Sequence, residues 1–114
     1  MKECLFCGIV ENKQKTRIIL EDELAVAFED IHPQAPVHVL LIPRKHMGSL
    51  NQAQEMDREI LGHLLLMAAK VAEMKQVHRS GYRLVVNTNS QAGQTVFHLH
   101  VHLLGGRTMT WPPG

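Results

Sequence analysis

The sequence predicts an α+β domain built on an antiparallel sheet, and three observations carry that prediction. Near the C-terminus His98, His100 and His102 alternate with Leu99, Val101 and Leu103. That is the two-residue period of a strand with one face in a core. Upstream, Ile60, Leu64, Met67, Val71 and Met74 recur at spacings of four and three, the stripe of one long helix suited to packing on a sheet. The other apolar segments are short and follow one another without a helix between each pair, which favours α+β over a parallel α/β arrangement.

A chain of 114 residues makes a single domain, residues 1–114, with enough length for one core. Its 12 basic residues nearly balance 11 acidic ones, so no surface for a nucleic-acid polymer is expected. Met1-Lys2-Glu3-Cys4 lacks the apolar region of a signal peptide, and no apolar run approaches the roughly 20 residues of a membrane span. The expected compartment is the cytoplasm, where Cys4 and Cys7 stay reduced unless they hold a metal.

In chain order, residues 4–10 predict a short helical turn and residues 11–16 a polar connector. Residues 17–20 and 24–29 read as a strand hairpin turning at Glu21-Asp22-Glu23. Asp30-Ile31-His32-Pro33-Gln34-Ala35-Pro36 is a loop, because its two prolines exclude a helix or a central strand. Residues 37–42 form an apolar run interrupted only by His38, a buried strand stopped by Pro43. Residues 49–57 lead into the long helix, where Leu61, Leu65, Ala68 and Ala72 make a second stripe beside the first. That stripe widens the core face or meets a second subunit. Residues 82–87 are a strand, residues 88–94 a polar loop, and residues 97–104 the strand that carries the three histidines.

A histidine row on one strand face has three readings: an exposed polar face, a zinc chelate of residues i and i+2, or phosphoryl chemistry with imidazole as nucleophile. Spacing does not separate the last two. The whole string does more. His98-Leu99-His100-Val101-His102-Leu103-Leu104 resembles the signature of the histidine triad family. The flanks Gln94-Thr95-Val96-Phe97 and Leu104-Gly105-Gly106-Arg107 resemble its Hint branch. So do Asp30-Ile31-His32-Pro33-Gln34-Ala35-Pro36 and the terminal Trp111-Pro112-Pro113-Gly114. The resemblance implies a half-barrel of five antiparallel strands with one long and one short helix, paired as a homodimer. It also implies hydrolysis of purine nucleoside phosphoramidates, AMP-linked or GMP-type, through a nucleotidyl-histidine intermediate.

Roles follow from the same resemblance. His100 would attack phosphorus, His102 would donate to a phosphate oxygen or the leaving group, and His38 would orient the triad that includes His98. Asp30 would accept hydrogen bonds from the ribose hydroxyls, against the plainer role of capping its turn. Ile31, Phe28 and Phe6 would wall the base. Asn87, the Gly93 amide, Gln94 and the Thr95 hydroxyl would sit around the phosphate, where developing charge requires fixed donors. Trp111 would reach the neighbouring subunit's site. Thr95 stands where Hint proteins usually carry serine and keeps the hydroxyl. His32 also replaces a more usual serine, and nothing in the sequence assigns it a role.

Cys4-x-x-Cys7 taken alone is a redox motif, half of a zinc site or coincidence. The redox reading lacks its βαβ context. Some bacterial histidine triad proteins pair such a motif with a histidine after a Pro-Arg/Lys-x stretch and with the first triad histidine. Here those positions are His46 and His98. A structural zinc on Cys4, Cys7, His46 and His98 is therefore expected, closed to substrate and not required for catalysis. Competing functions are a dinucleoside polyphosphate hydrolase of the Fhit branch, a nucleotide-binding interaction module, and a hydrolase with metal on the triad itself.

Overall fold

A computed structural model describes residues 4–12 and 16–114. The first three residues of the N-terminal segment, and residues 13–15 of the expected connector, lie outside the described residues. Five strands form one antiparallel sheet: β1 (Ile18–Glu21), β2 (Ala25–Glu29), β3 (Val37–Pro43), β4 (Tyr82–Val85) and β5 (Val101–Gly105), in the order β1-β2-β3-β5-β4. Two α-helices accompany it, the short α1 (Leu5–Val10) and the 17-residue α2 (Arg58–Met74). The α+β architecture, the five strands and the two helices match the sequence expectation. Among the described residues no helix is long and apolar enough to cross a membrane.

Alternation along three central strands sorts the side chains into two layers. Ala25 and Ala27 of β2, Val39 and Leu41 of β3, and Leu99, Val101 and Leu103 join one cluster with Leu64, Met67, Ala68, Val71 and Ala72 of α2. Their neighbours Val26, Phe28, Leu40 and Ile42 make a second cluster with Phe6 and Ile9 of α1. Because β3 is covered on both faces, its run is apolar throughout except for His38. Register then sets a row across the sheet, with Phe28 opposite Leu40 and Leu40 opposite His102. The row joins the α1 layer to the histidines.

Two expectations need correction. The triad strand begins at Val101, four residues after the predicted start. Residues 97–100 leave the ladder, with the Leu99 N–H donating to the Met47 carbonyl at 2.6 Å and the His98 Nε2–H to the Pro43 carbonyl at 2.8 Å. Pro43 still pairs with Ala25 of β2 but has no N–H to donate, and its carbonyl takes the His98 ring in place of a β5 strand partner. On α2 the predicted stripes split, since Met74 is 50% exposed and Leu65 53%. The helix buries a narrower face than its apolar content suggests.

Candidate active site and metal cluster

The histidines reach one cleft by different routes. His38 is the second residue of β3, His102 the second of β5, and His100 lies just before β5 in the segment whose Leu99 N–H bonds the Met47 carbonyl. A cleft of about 690 Å³ opens above them, ordinary for a small-molecule site. Leu5, Phe6, Ile9, Phe28 and Leu40 form its apolar wall, and Asp30, Ile31, Thr95, His100 and His102 are among its other lining residues. Phe6 meets Phe28 edge-on at 5.6 Å and His100 at 5.1 Å between ring centroids.

Hydrogen bonds fix the protons on the rings. The Gln34 N–H donates to His38 Nδ1 at 3.0 Å, so neutral His38 carries its proton on Nε2. That Nε2 lies 2.9 Å from His102 Nδ1 and 3.3 Å from an Asp30 carboxylate oxygen. His102 Nδ1 therefore accepts, and its proton sits on Nε2. At His100, Nδ1 lies 2.8 Å from the His98 carbonyl, and a carbonyl only accepts. His100 carries Nδ1–H and has its lone pair on Nε2. Burial lowers the His38 pKa against the pull of Asp30, and burial with the nearby His100 and His38 takes that of His102 to about 4. Near neutral pH these two rings are uncharged.

Asp30 does two things at once. One carboxylate oxygen accepts from the His32 N–H at 2.7 Å, the turn cap, and the other is the one beside His38. The carboxylate keeps further lone pairs and lies on the cleft wall.

Other expected binding residues are placed less directly. Gly93 borders the cleft, yet its N–H donates to the Ser90 carbonyl at 3.0 Å, so that amide is not free for a phosphate. Gln94 is buried, and its side chain bonds the Gly48 and Val96 carbonyls and the Asn89 N–H. It fixes the loop and does not line the cleft. Asn87 is also absent from the lining. Trp111 is 81% exposed and stands 6.0 Å from the Arg83 guanidinium. Thr95 keeps its place in the cleft, and His32 lines it too.

Cys4, Cys7, His46 and His98 bring four ligand-type atoms within 4.8 Å of one another. His98 Nδ1 is 3.2 Å from His46 Nδ1, 3.5 Å from the Cys4 sulfur and 3.6 Å from that of Cys7. Around tetrahedral zinc with ordinary bond lengths, such atoms stand roughly 3.3–3.8 Å apart. His98 Nε2–H is committed to the Pro43 carbonyl, the arrangement that leaves Nδ1 free to ligate. Burial, with Cys4 beside it, pushes the Cys7 thiol up to about 11. A divalent cation is the group that would convert these thiols to thiolates. The donor set fits a zinc-type metal. Asp30, His38 and His102 form a second such group, but there the His38 Nε2 proton is already engaged.

The HIT domain pattern matches residues 11–109 of this chain. The chain belongs to the HIT family. An uncharacterized HIT-like protein of Synechocystis is 48% identical over 113 residues, covering 99% of this chain and 98% of that one. A HIT family hydrolase from Legionella pneumophila superposes with a TM-score of 0.96 at 48% identity, covering 98% of this chain and all of that chain. A histidine triad nucleotide-binding protein from Candida albicans gives 0.84 at 27% identity, over 96% and 83% of the two chains.

Within this HIT cleft, sequence reading passed over Ile9 and Leu40. Each carried a signal. Leu40 follows His38 by two residues on a strand and so shares its face, and Ile9 follows Phe6 by three on a helix.

Proposed function

We propose that this HIT protein is a hydrolase of purine nucleoside phosphoramidates of the Hint type, acting through a nucleotidyl intermediate on His100. The observation that carries the reading is the bond from His100 Nδ1–H to the His98 carbonyl. It leaves an in-plane lone pair on Nε2, the atom required to attack phosphorus. The hydrolase from Legionella pneumophila, at 48% identity, supports the reaction class. The nucleotide-binding neighbour from Candida albicans supports the ligand class.

In the first step Nε2 bonds to phosphorus and the phosphorus–nitrogen bond of the substrate breaks. The amine departs with a proton from solvent. His102 Nε2–H, held by His38, donates to a non-bridging oxygen where charge builds. Water then attacks phosphorus, the bond to Nε2 breaks, and AMP leaves with His100 restored. Asp30 binds the ribose hydroxyls, and Phe6, Ile9, Phe28 and Leu40 hold the base. Cys4, Cys7, His46 and His98 would hold a zinc-type metal, which would supply a structural cross-link.

The working unit is a homodimer. Exposed Leu65 and Leu66 on α2, exposed Trp111 and the open edge of β4 support that reading. Steady-state hydrolysis of an adenosine phosphoramidate, set against diadenosine polyphosphates, tests the function. Preference for the phosphoramidate is expected, and preference for the polyphosphates would move the protein to the Fhit type of activity.

A further inference from the structure

Helix α1 serves the cleft and the metal cluster together. At six residues it is too short to hold its shape alone in water. Phe6 and Ile9 wall the cleft that contains His100 and His102. Cys4, which caps the helix, and Cys7 place their sulfurs beside His46 and His98. The Arg44 guanidinium, 3.2 Å from the Val10 carbonyl, ties its C-terminal end.

We propose that a metal held by Cys4, Cys7, His46 and His98 sets nucleotide affinity through α1, with the two cysteines acting as positioning residues for the Phe6 and Ile9 wall. The proposal rests on the cleft being a nucleotide site. Ordering the wall before the nucleotide arrives removes a cost of binding. Linkage makes the effect reciprocal: the nucleotide must tighten metal binding by the same factor.

The nucleophile is anchored differently. Although His98 is itself a cluster ligand, its carbonyl orients His100, and that segment is also held by the Leu99–Met47 and His98–Pro43 bonds, neither of which involves α1. Metal removal should therefore act on affinity and KM far more than on kcat. A purely structural metal would lower the folded fraction without changing the affinity of the molecules that remain folded.

The test titrates AMP into the zinc-loaded full chain and into the same chain stripped by a chelator. AMP should bind about tenfold more weakly to the stripped form, and saturating AMP should raise zinc affinity about tenfold, within the usual range for coupled sites. Cys4→Ser with Cys7→Ser should reproduce the stripped behaviour. Phe6→Ala should keep zinc binding and lose the coupling. If the stripped chain unfolds, the rate at which a chelator extracts zinc from the loaded protein is read instead, with Phe6→Ala at the same AMP saturation as the control for stabilisation by bound ligand alone. Extraction should slow about tenfold with AMP. Equal AMP affinities with equal extraction rates, or no zinc binding, would overturn the proposal. Failure of AMP to bind either form would overturn the nucleotide reading beneath it.

Discussion

The Nε2 of His38 lies 2.9 Å from the Nδ1 of His102. With the Gln34 N–H on its other nitrogen, His38 can only donate across that gap while neutral. Charging either ring would set a cation against the other imidazole, with His100 nearby and Asp30 compensating in part. A histidine whose folded pKa lies below its unfolded value of about 6.5 stabilises the fold above that value. The contribution is lost as pH falls from about 6.5 toward the folded value, which for His102 is about 4. Thermal denaturation across this window should show a falling Tm, and His102→Asn should flatten the slope. An unchanged slope in the variant would mean the acid loss arises elsewhere.

Asp30→Asn should weaken binding of ribonucleotides more than of deoxyribonucleotides. Charge-assisted hydrogen bonds contribute roughly 1.5–3 kcal/mol, so a loss of at least about tenfold is expected for the ribose form. Calorimetric titration with AMP and dAMP checks it. Equal losses would reduce Asp30 to its role as the cap of the His32 turn.

Leu103 is fully buried between β3 and β4, opposite Val39 and Leu84, in the layer that meets α2. Leu103→Ala should cost about 2–5 kcal/mol of stability by emptying that space. Urea denaturation would show this as a lowered midpoint at constant slope. A cost below about 1 kcal/mol would contradict the packing described.

The tail is tied to an open edge. Arg83 on β4 donates to the Thr110 carbonyl at 2.9 Å and faces Trp111 at 6.0 Å. Removing residues 109–114 should change the preference among amine leaving groups while AMP binding persists, because a homodimer would carry the tail toward the partner's cleft. Sedimentation of the intact chain should give a dimer. A truncated dimer with an unaltered leaving-group profile would show the tail to be a bystander.

Much of this was legible because alternation has a fixed geometric meaning. Leu99, Val101 and Leu103 could only share a face opposite the histidines, and the structure packs them against α2. What stayed hidden depended on partners distant in sequence. The β5 start at Val101, opposite Leu41, reflects the Met47 and Pro43 carbonyls engaging Leu99 and His98 outside the ladder. The amide of Gly93 and the side chain of Gln94 are consumed by local bonds that residue type does not reveal. Nor does the apolar pattern of α2 distinguish Leu65, which is exposed, from Leu64, which is buried.

Covalent chemistry at His100 is the central claim. The most direct measurement is mass spectrometry of the protein quenched with denaturant during turnover of an adenosine phosphoramidate, with peptide mapping of the adduct. An adenylyl group on His100 is the predicted result, absent from His100→Ala, which should lose turnover while binding AMP within about tenfold, or roughly 1.4 kcal/mol. Turnover at the wild-type rate in that variant, or an adduct mapped to another residue, would contradict the assignment of His100 as the nucleophile.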